Sequence, residues 1–324
     1  MLAASPVFNP RRLGHLNMWV NDVRRSERFY NEICGLTVSF TEPGIIGSFM
    51  GTGTSHHDLA VVEVTYGEAR YGRDGLLQIP PGMGLTAGLN HVAWEMENAT
   101  DLLAAMERAS ARGIEPEALL DHQISHSYYL LDPDHNMVEF YYDTVRNWRD
   151  TLHGEMDLVT SAWDPGTATR STETFHEETQ PPRRVEHAPL HPRRLSHAVL
   201  KSTDPKRLIA FYTEIAGLRL EPESTPEVAL LSSSLPGLPF CLAICADETS
   251  GYSHAAYELD DPAEFEGARQ ALAEKGILLS ALDLPWKRAL LFADPNGLML
   301  EFFVPLEGKR DFSERHGMPL CHLA

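Results

Sequence analysis

A duplication constrains this chain more than any other feature of its sequence. Residues 12–36 (RLGHLNMWVNDVRRSERFYNEICGL) recur as residues 194–218 (RLSHAVLKSTDPKRLIAFYTEIAGL), with RL-x-H, FY-x-E-I and GL in register at an offset of 182. LNHVAWEM (89–96) recurs as YSHAAYEL (252–259) at an offset of 163, and LLDPDHNMVEFYY (130–142) as LFADPNGLMLEFFV (291–304) at about 162. Drift of this size is what loop insertions produce. The repeat predicts two homologous domains of roughly 140 residues each. Between the copies, residues 144–192 are rich in Pro, Ser, Thr and mixed charge and read as a linker or arm. The expected division is therefore a domain over 1–143, an arm over 144–192 and a domain over 193–324. The arm is long for a simple linker, so part of it is expected to pack on a domain surface or on a partner subunit.

Each half contains two similar modules. HLNMWVND alternates apolar and polar residues as a strand does. Val23, Phe29, Tyr30 and Ile33 then follow at helical spacing, ended by Gly35. HVAWEMEN reads as a second such strand, and DLLAAMERASARGI as an amphipathic helix stopping at Gly113. Short strands follow each helix, AVVEV (60–64) and MVEFYY (137–142) being the clearest. Strand, helix and three strands, four times over, predict an α+β fold of tandem βαβββ modules with helices outside curved sheets.

Three residues of the first half carry candidate chemistry: His15 and His91 on the leading strands, and Glu139 on the last strand of the second module. Two imidazoles and a carboxylate suit a divalent metal of Fe(II), Mn(II) or Zn(II) type and leave coordination positions open. The second half keeps an equivalent trio, His197, His254 and Glu301. The surroundings differ. SHHDLAVVEV places His56 and His57 at the head of a strand, where aligning Leu59–Ala60 with Leu242–Ala243 sets Phe240 opposite His57. DHQISHSYYLLDPD supplies His122, His126, Tyr128 and Tyr129, where the second half reads LDLPWKRALLFADP. Leu291 falls opposite Tyr129, and Leu284 or, given the drift, Pro285 opposite His122. The first half thus keeps titratable groups that can move protons or hydrogen-bond an oxyanion, and the second replaces them with apolar ones. Tyr129 and Glu139 on one hairpin share a face. Alternation from His15 sets Asn17 and Trp19 on its face, so Trp19 borders the expected pocket.

Composition excludes other classes. The 324 residues carry a net charge of −19, which disfavours nucleic acid and anionic membranes as partners. No stretch approaches about 20 apolar residues, and the N-terminus lacks the apolar run of a signal peptide. Four cysteines without a CxxC pair make a disulfide scaffold or Cys-rich zinc site a poor expectation. The expected setting is soluble and cytoplasmic.

Together, GH-x-N-x-x-V, FY-x-x-x-x-GL, HHDLA, LNHVA and DPD-x-N-x-x-E resemble the vicinal oxygen chelate superfamily. Within it the chain is most similar to two-domain type I extradiol ring-cleaving dioxygenases, across about 12–143 and 194–304. The resemblance implies one Fe(II), with Mn(II) serving the same ligands, held by His15, His91 and Glu139. It assigns His57 to stabilise the attacking oxygen and donate a proton, and His122 and Tyr129 to hydrogen-bond substrate oxygens; His56 and His126 are neighbours with a weaker claim. The implied reaction cleaves a catecholic substrate with O₂ to a 2-hydroxymuconic semialdehyde-type product, in a chain expected to form a homo-oligomer. Familiar two-domain members use the C-terminal domain for catalysis, whereas here the fuller constellation is N-terminal. The competing readings are a metal-dependent glyoxalase-like isomerase or lyase, which would place a fourth ligand, often Glu, near His57, and a non-catalytic binding member of the fold.

Overall fold

The computed structural model describes residues 5–72, 75–175, 182–238, 240–313 and 318–324; residues 176–181 of the expected arm lie outside it. The first unit runs β1 (Arg12–Val20), α1 (Val23–Glu32), β2 (Thr37–Glu42), β3 (Gly47–Gly51), β4 (Leu59–Glu63), β5 (Arg70–Tyr71), β6 (Leu77–Ile79), β7 (Gly88–Glu95), α2 (Ala99–Ala111), β8 (Ala118–Asp121), β9 (Ser125–Leu131) and β10 (Met137–Asp143). The arm contributes α3 (Trp148–Thr151), β11 (Gly154–Glu155) and β12 (Ser161–Ala162). The second unit runs β13 (Pro192–Ser202), α4 (Pro205–Ala210), β14 (Arg219–Leu220), β15 (Val228–Ser232), β16 (Leu242–Ala246), β17 (Gly251–Leu259), α5 (Phe265–Glu274), β18 (Leu279–Leu284), β19 (Lys287–Ala293) and β20 (Met299–Pro305).

Local chemistry sets these elements. Along β1, Leu16, Met18 and Val20 join the core while His15, Asn17 and Trp19 face the other way, as strand alternation requires. Asp22 caps α1 by accepting from the Arg25 N–H, and Asn98 caps α2 by accepting from the Asp101 N–H. The apolar helix faces and the inward strand residues of both units form one continuous core, with Trp94, Tyr30, Tyr212 and Phe302 at its centre.

The first sheet has the order β11-β2-β3-β4-β1-β7-β10-β9-β8-β12. β1 and β7 pair antiparallel at its middle, and each is flanked in parallel by the last strand of its own module, β4 or β10. The second sheet repeats this plan as β14-β15-β16-β13-β17-β20-β19-β18. Each sheet is thus two βαβββ modules back to back, and the residues facing away from the helices line a curved trough.

The arm is part of the first sheet. β11 pairs with β2 at one edge and β12 with β8 at the other. The stretch between, Met156–Thr160, therefore crosses the open side of the trough. Leu158 and Thr160 both line the space beneath. In the second sheet the corresponding trough is filled: Phe240, Leu284, Trp286, Phe312, Leu320 and Leu323 form a separate apolar cluster there.

Candidate metal centre and substrate cavity

β1, β7 and β10 are neighbours, so His15, His91 and Glu139 converge despite their separation in sequence. His15 Nε2 and His91 Nε2 lie 3.2 and 3.1 Å from Glu139 Oε2, and 3.3 Å from each other. Among the described residues this is the one group of three or more His, Cys, Asp or Glu whose ligand atoms all lie within 4.8 Å. All three side chains are buried, and Glu139 Oε2 has no hydrogen-bond partner. Burial holds His15 near a pKa of about 4, below its ordinary range, against the pull of Glu139. Burial alone would raise Glu139, but the two imidazoles facing its Oε2, His15 and His91, hold it well below the usual carboxylate range. An unprotonated imidazole beside an ionised carboxylate, with an unsatisfied oxygen at the focus, is a donor set that fits a divalent cation. Asn90 Oδ1 lies 3.0 Å from His91 Nδ1, on the side away from the focus.

Gly14 brings His15 into place. The β1–β7 register shifts between Leu13 and His15, and a Cβ on Gly14 would run into the Tyr141 ring. That ring packs 5.2 Å from the His15 imidazole, so the bulge and the aromatic wall fix the ligand together.

The His57 ring packs tilted against His15 at 4.1 Å between ring centroids, with Phe40 and Phe49 behind it. Its Nδ1 lies 2.5 Å from His56 Nδ1, and His56 Nε2 lies 2.9 Å from Asp143 Oδ1. Burial lowers His56, but Asp143 more than compensates and raises its pKa above the ordinary value. Burial, then His15 and His56, hold His57 well below the ordinary value. When His56 carries both protons, it donates to Asp143 and to His57 Nδ1. The remaining proton of neutral His57 then sits on Nε2. Asp143 was not singled out by sequence reasoning; His56 stands between it and His57.

On the opposite wall, Tyr129 is the direct cross-strand partner of Glu139. Its hydroxyl lies 3.0 Å from His122 Nε2, and His122 Nδ1 lies 3.0 Å from Thr160 Oγ1 on the arm. Burial lowers His122, and burial together with Glu139 raises Tyr129 well above the ordinary phenol value. The phenol therefore keeps its proton and can donate a hydrogen bond. His126 does not join this set. It stacks on Trp163 at 4.7 Å and bonds the Tyr142 hydroxyl at 2.6 Å, outside the cavity.

The trio, His57, His122 and Tyr129 line a cavity of about 700 Å³. Trp19, Phe40, Phe49, Val62, Ile79 and Leu158 make much of its wall. No Lys or Arg is among its described lining residues, and Glu42 and Glu117 are. Glu42 accepts hydrogen bonds from the Gly44 and Leu158 N–H groups, tying the arm down. Gln78 clamps the arm from the other side, accepting from the Thr160 N–H at 2.8 Å and donating to its carbonyl.

The second trio is arranged differently. Its ligand atoms do not close to 4.8 Å as the first do. Phe240 packs 4.3 Å from the His197 ring, in the place His57 takes beside His15, and Leu291 pairs with Glu301 as Tyr129 pairs with Glu139.

Fold and site together define a metal-centred member of the vicinal oxygen chelate class. Residues 12–140 match the Glyoxalase/Bleomycin resistance protein/Dioxygenase superfamily. Biphenyl-2,3-diol 1,2-dioxygenase 3 of Rhodococcus globerulus is 30% identical over 166 residues, covering 48% of this chain and 78% of the relative. The substrate complex of homoprotocatechuate 2,3-dioxygenase from Brevibacterium fuscum superposes with a TM-score of 0.65 at 15% identity, over 96% of this chain and 85% of that one. The Mn(II)-bound glyoxalase of Novosphingobium aromaticivorans superposes with 0.62 at 16% identity, over 93% and 84%; at such identities the likeness is one of fold. The chain belongs to the Glyoxalase/Bleomycin resistance protein/Dioxygenase superfamily and is a homologue of its extradiol ring-cleaving dioxygenases.

Proposed function

We propose that this chain cleaves the ring of a neutral, apolar-substituted catechol with O₂ in the extradiol position, using Fe(II) held by His15, His91 and Glu139. The observation that carries the proposal is the convergence of two buried imidazoles and an unsatisfied carboxylate oxygen inside an apolar cavity that also holds His57 and Tyr129. When bound there, the ion would lower the pKa of a catechol hydroxyl and bring O₂ beside the ring. The chain supplies the rest. His57, with Nε2 protonated, is the donor beside His15, and the Asp143–His56 pair keeps its proton on that nitrogen. Tyr129 and His122 hydrogen-bond the substrate oxygens from the other wall. His57 just ahead of β4, rather than a fourth carboxylate ligand there, favours the dioxygenase over an isomerase.

The cavity supports a substrate class. About 700 Å³ is room for a second ring or an alkyl chain beyond the catechol. A carboxylated catechol would bring a negative charge into a wall that offers no described cation and two further carboxylates. The name of the Rhodococcus relative points to a bicyclic diol as well. The test is O₂ uptake and formation of a yellow ring-cleaved product by Fe(II)-loaded protein. Biphenyl-2,3-diol is expected to turn over with a kcat/KM well above that of 3,4-dihydroxyphenylacetate. Equal or reversed preference overturns the substrate class, and no uptake with any catechol overturns the reaction.

A further inference from the structure

At the offset of 162 that sets Glu301 on Glu139, Lys287 stands opposite Ser125 in the trough wall. Its side chain reaches into the second trio. Lys287 Nζ donates to both Glu301 oxygens, at 2.8 Å each, and to the backbone oxygen of Ala324. All three ammonium protons therefore have acceptors. Lys287 is 3% exposed and Glu301 is fully buried. His197 and His254 complete the ring around this pair. Their Nδ1 atoms meet Ser196 Oγ and Ser253 Oγ at 3.0 and 3.1 Å, while both Nε2 atoms are buried without a hydrogen-bond partner. His254 Nε2 lies 3.5 Å from Glu301 Oε2. Trp286, whose indole N–H donates to the Leu323 carbonyl, helps close the site from the open side.

We infer that Lys287 replaces a divalent cation at His197, His254 and Glu301, so that the second unit carries a latent metal site plugged by its own ammonium group. A carboxylate this deeply buried needs a positive partner. In the first unit that partner is an ion from solution; in the second it is covalently attached. Two unpartnered imidazole nitrogens facing a carboxylate are the remainder of a ligand set that the ammonium cannot use, because an ammonium only donates and its donors are already taken. Phe240 and Leu291 replace the proton-bearing groups of the first site, so unplugging the second would restore a binding site without a catalytic one.

Lys287→Ala removes the plug and leaves room for an ion. Full-length protein is stripped with chelator, reloaded with Co(II), desalted, and counted for cobalt per chain with its visible spectrum recorded. Lys287→Ala is expected to hold one more cobalt ion per chain than the unsubstituted protein, and Lys287→Ala/His254→Ala to lose that extra ion. The increment is independent of whether the first cluster is loaded, so it stands apart from the proposed reaction. A folded Lys287→Ala protein with no extra ion overturns the inference, as does an unsubstituted chain that already holds two. Should Lys287→Ala not fold, chemical denaturation of Glu301→Gln and Lys287→Met/Glu301→Gln decides. The double variant is expected to recover stability that Glu301→Gln loses by stranding the ammonium, and failure to recover any of it overturns the proposal.

Discussion

At the scale of single residues, the two halves differ in the source of the charge that faces a buried glutamate. Glu301 titrates without a solution ion, and its pH dependence is therefore a property of the protein alone. Burial raises its carboxyl, but Lys287 with His254 and His197 outweighs burial and brings the pKa from 4.5 down to about 2. A folded-state value below the unfolded one gives stability that is fully present above pH 4.5 and lost as pH falls toward 2. Lys287 is charged in folded and unfolded chains across that window and adds no slope. The stability difference between the unsubstituted protein and Glu301→Gln, measured by urea unfolding, should be flat above pH 4.5 and shrink by a few kcal/mol toward pH 2. In the first half the same position faces Tyr129, which bonds His122 where the second half has Leu291. Tyr129→Phe should cut turnover by about a hundredfold while metal content stays unchanged, read by steady-state oxygen uptake beside a metal count. A parallel loss of metal would move Tyr129 from the chemistry to the ligand scaffold. The trio was legible in the sequence because the duplication repeats it at strand positions. Lys287 was not, because LDLPWKRALLFADP aligns on its apolar residues and a lysine in a strand reads as a solvated side chain. Only the register opposite Ser125 turns it inward.

At the scale of elements, two local devices build the site. The first is the β1 bulge at Gly14, where the chain passes so close to Tyr141 that no Cβ fits. Gly14→Ala must push the Tyr141 ring away from His15. It is expected to lower unfolding free energy by about 1–3 kcal/mol and weaken metal retention, measured by denaturant titration and by dialysis against chelator. The second is the arm. Its Met156–Thr160 stretch spans from β11 on one sheet edge to β12 on the other, and Thr160 sets the His122 ring from above. Thr160→Val keeps shape and removes one hydrogen bond of about 1 kcal/mol, so turnover should fall about fivefold and global stability by no more than about 1 kcal/mol. Circular-dichroism melting and oxygen uptake check the two halves of that statement. The length of the arm foretold packing on a domain surface, but not which sheet edges it joins. Residues 144–192 lack the periodicity that marks an element, and two-residue strands are too short to leave a pattern. The amphipathic elements were different: β1, α1, α2 and β10 each bury one face against the core, so their hydrophobic period had to appear in the residues themselves.

At the scale of the whole molecule, the duplicated motifs have a second use that links the units. Tyr30, in the first FY-x-E-I copy, donates to Asp294 Oδ2 of the second unit's DP-N turn at 3.0 Å. Tyr212, in the second copy, donates to Asp132 Oδ2 of the first unit's turn at 3.2 Å. Phe29 packs on Phe292 beside the former pair, and the Val7 and Phe8 N–H groups bond the Glu214 and Ile215 carbonyls beside the latter. Two related contacts thus recur across the interface, each joining the FY-x-E-I segment of one unit to the hairpin turn of the other. From sequence the tyrosines read as helix-face packing, because a partner in the other copy is invisible to local spacing. The contacts lie behind the sheets, on the side away from the cavity, so they bear on how the units stay docked rather than on chemistry. Tyr30 and Tyr212 are both buried, and burial followed by the facing aspartate raises each phenol well above its ordinary pKa, which keeps the donor protonated. Replacing either by Phe leaves a buried carboxylate oxygen short of a donor at a cost of about 1–3 kcal/mol. The aspartates retain other partners, Asn136 for Asp132 and Asn296 for Asp294, which keeps each turn intact. Tyr30→Phe and Tyr212→Phe should therefore each lower stability by that amount. The double variant should sum them, since the two contacts share no partner. Urea unfolding of the singles and the double measures this. Agreement with the sum supports two independent docking contacts, and a double variant no worse than the weaker single would mean that the units dock through one contact alone.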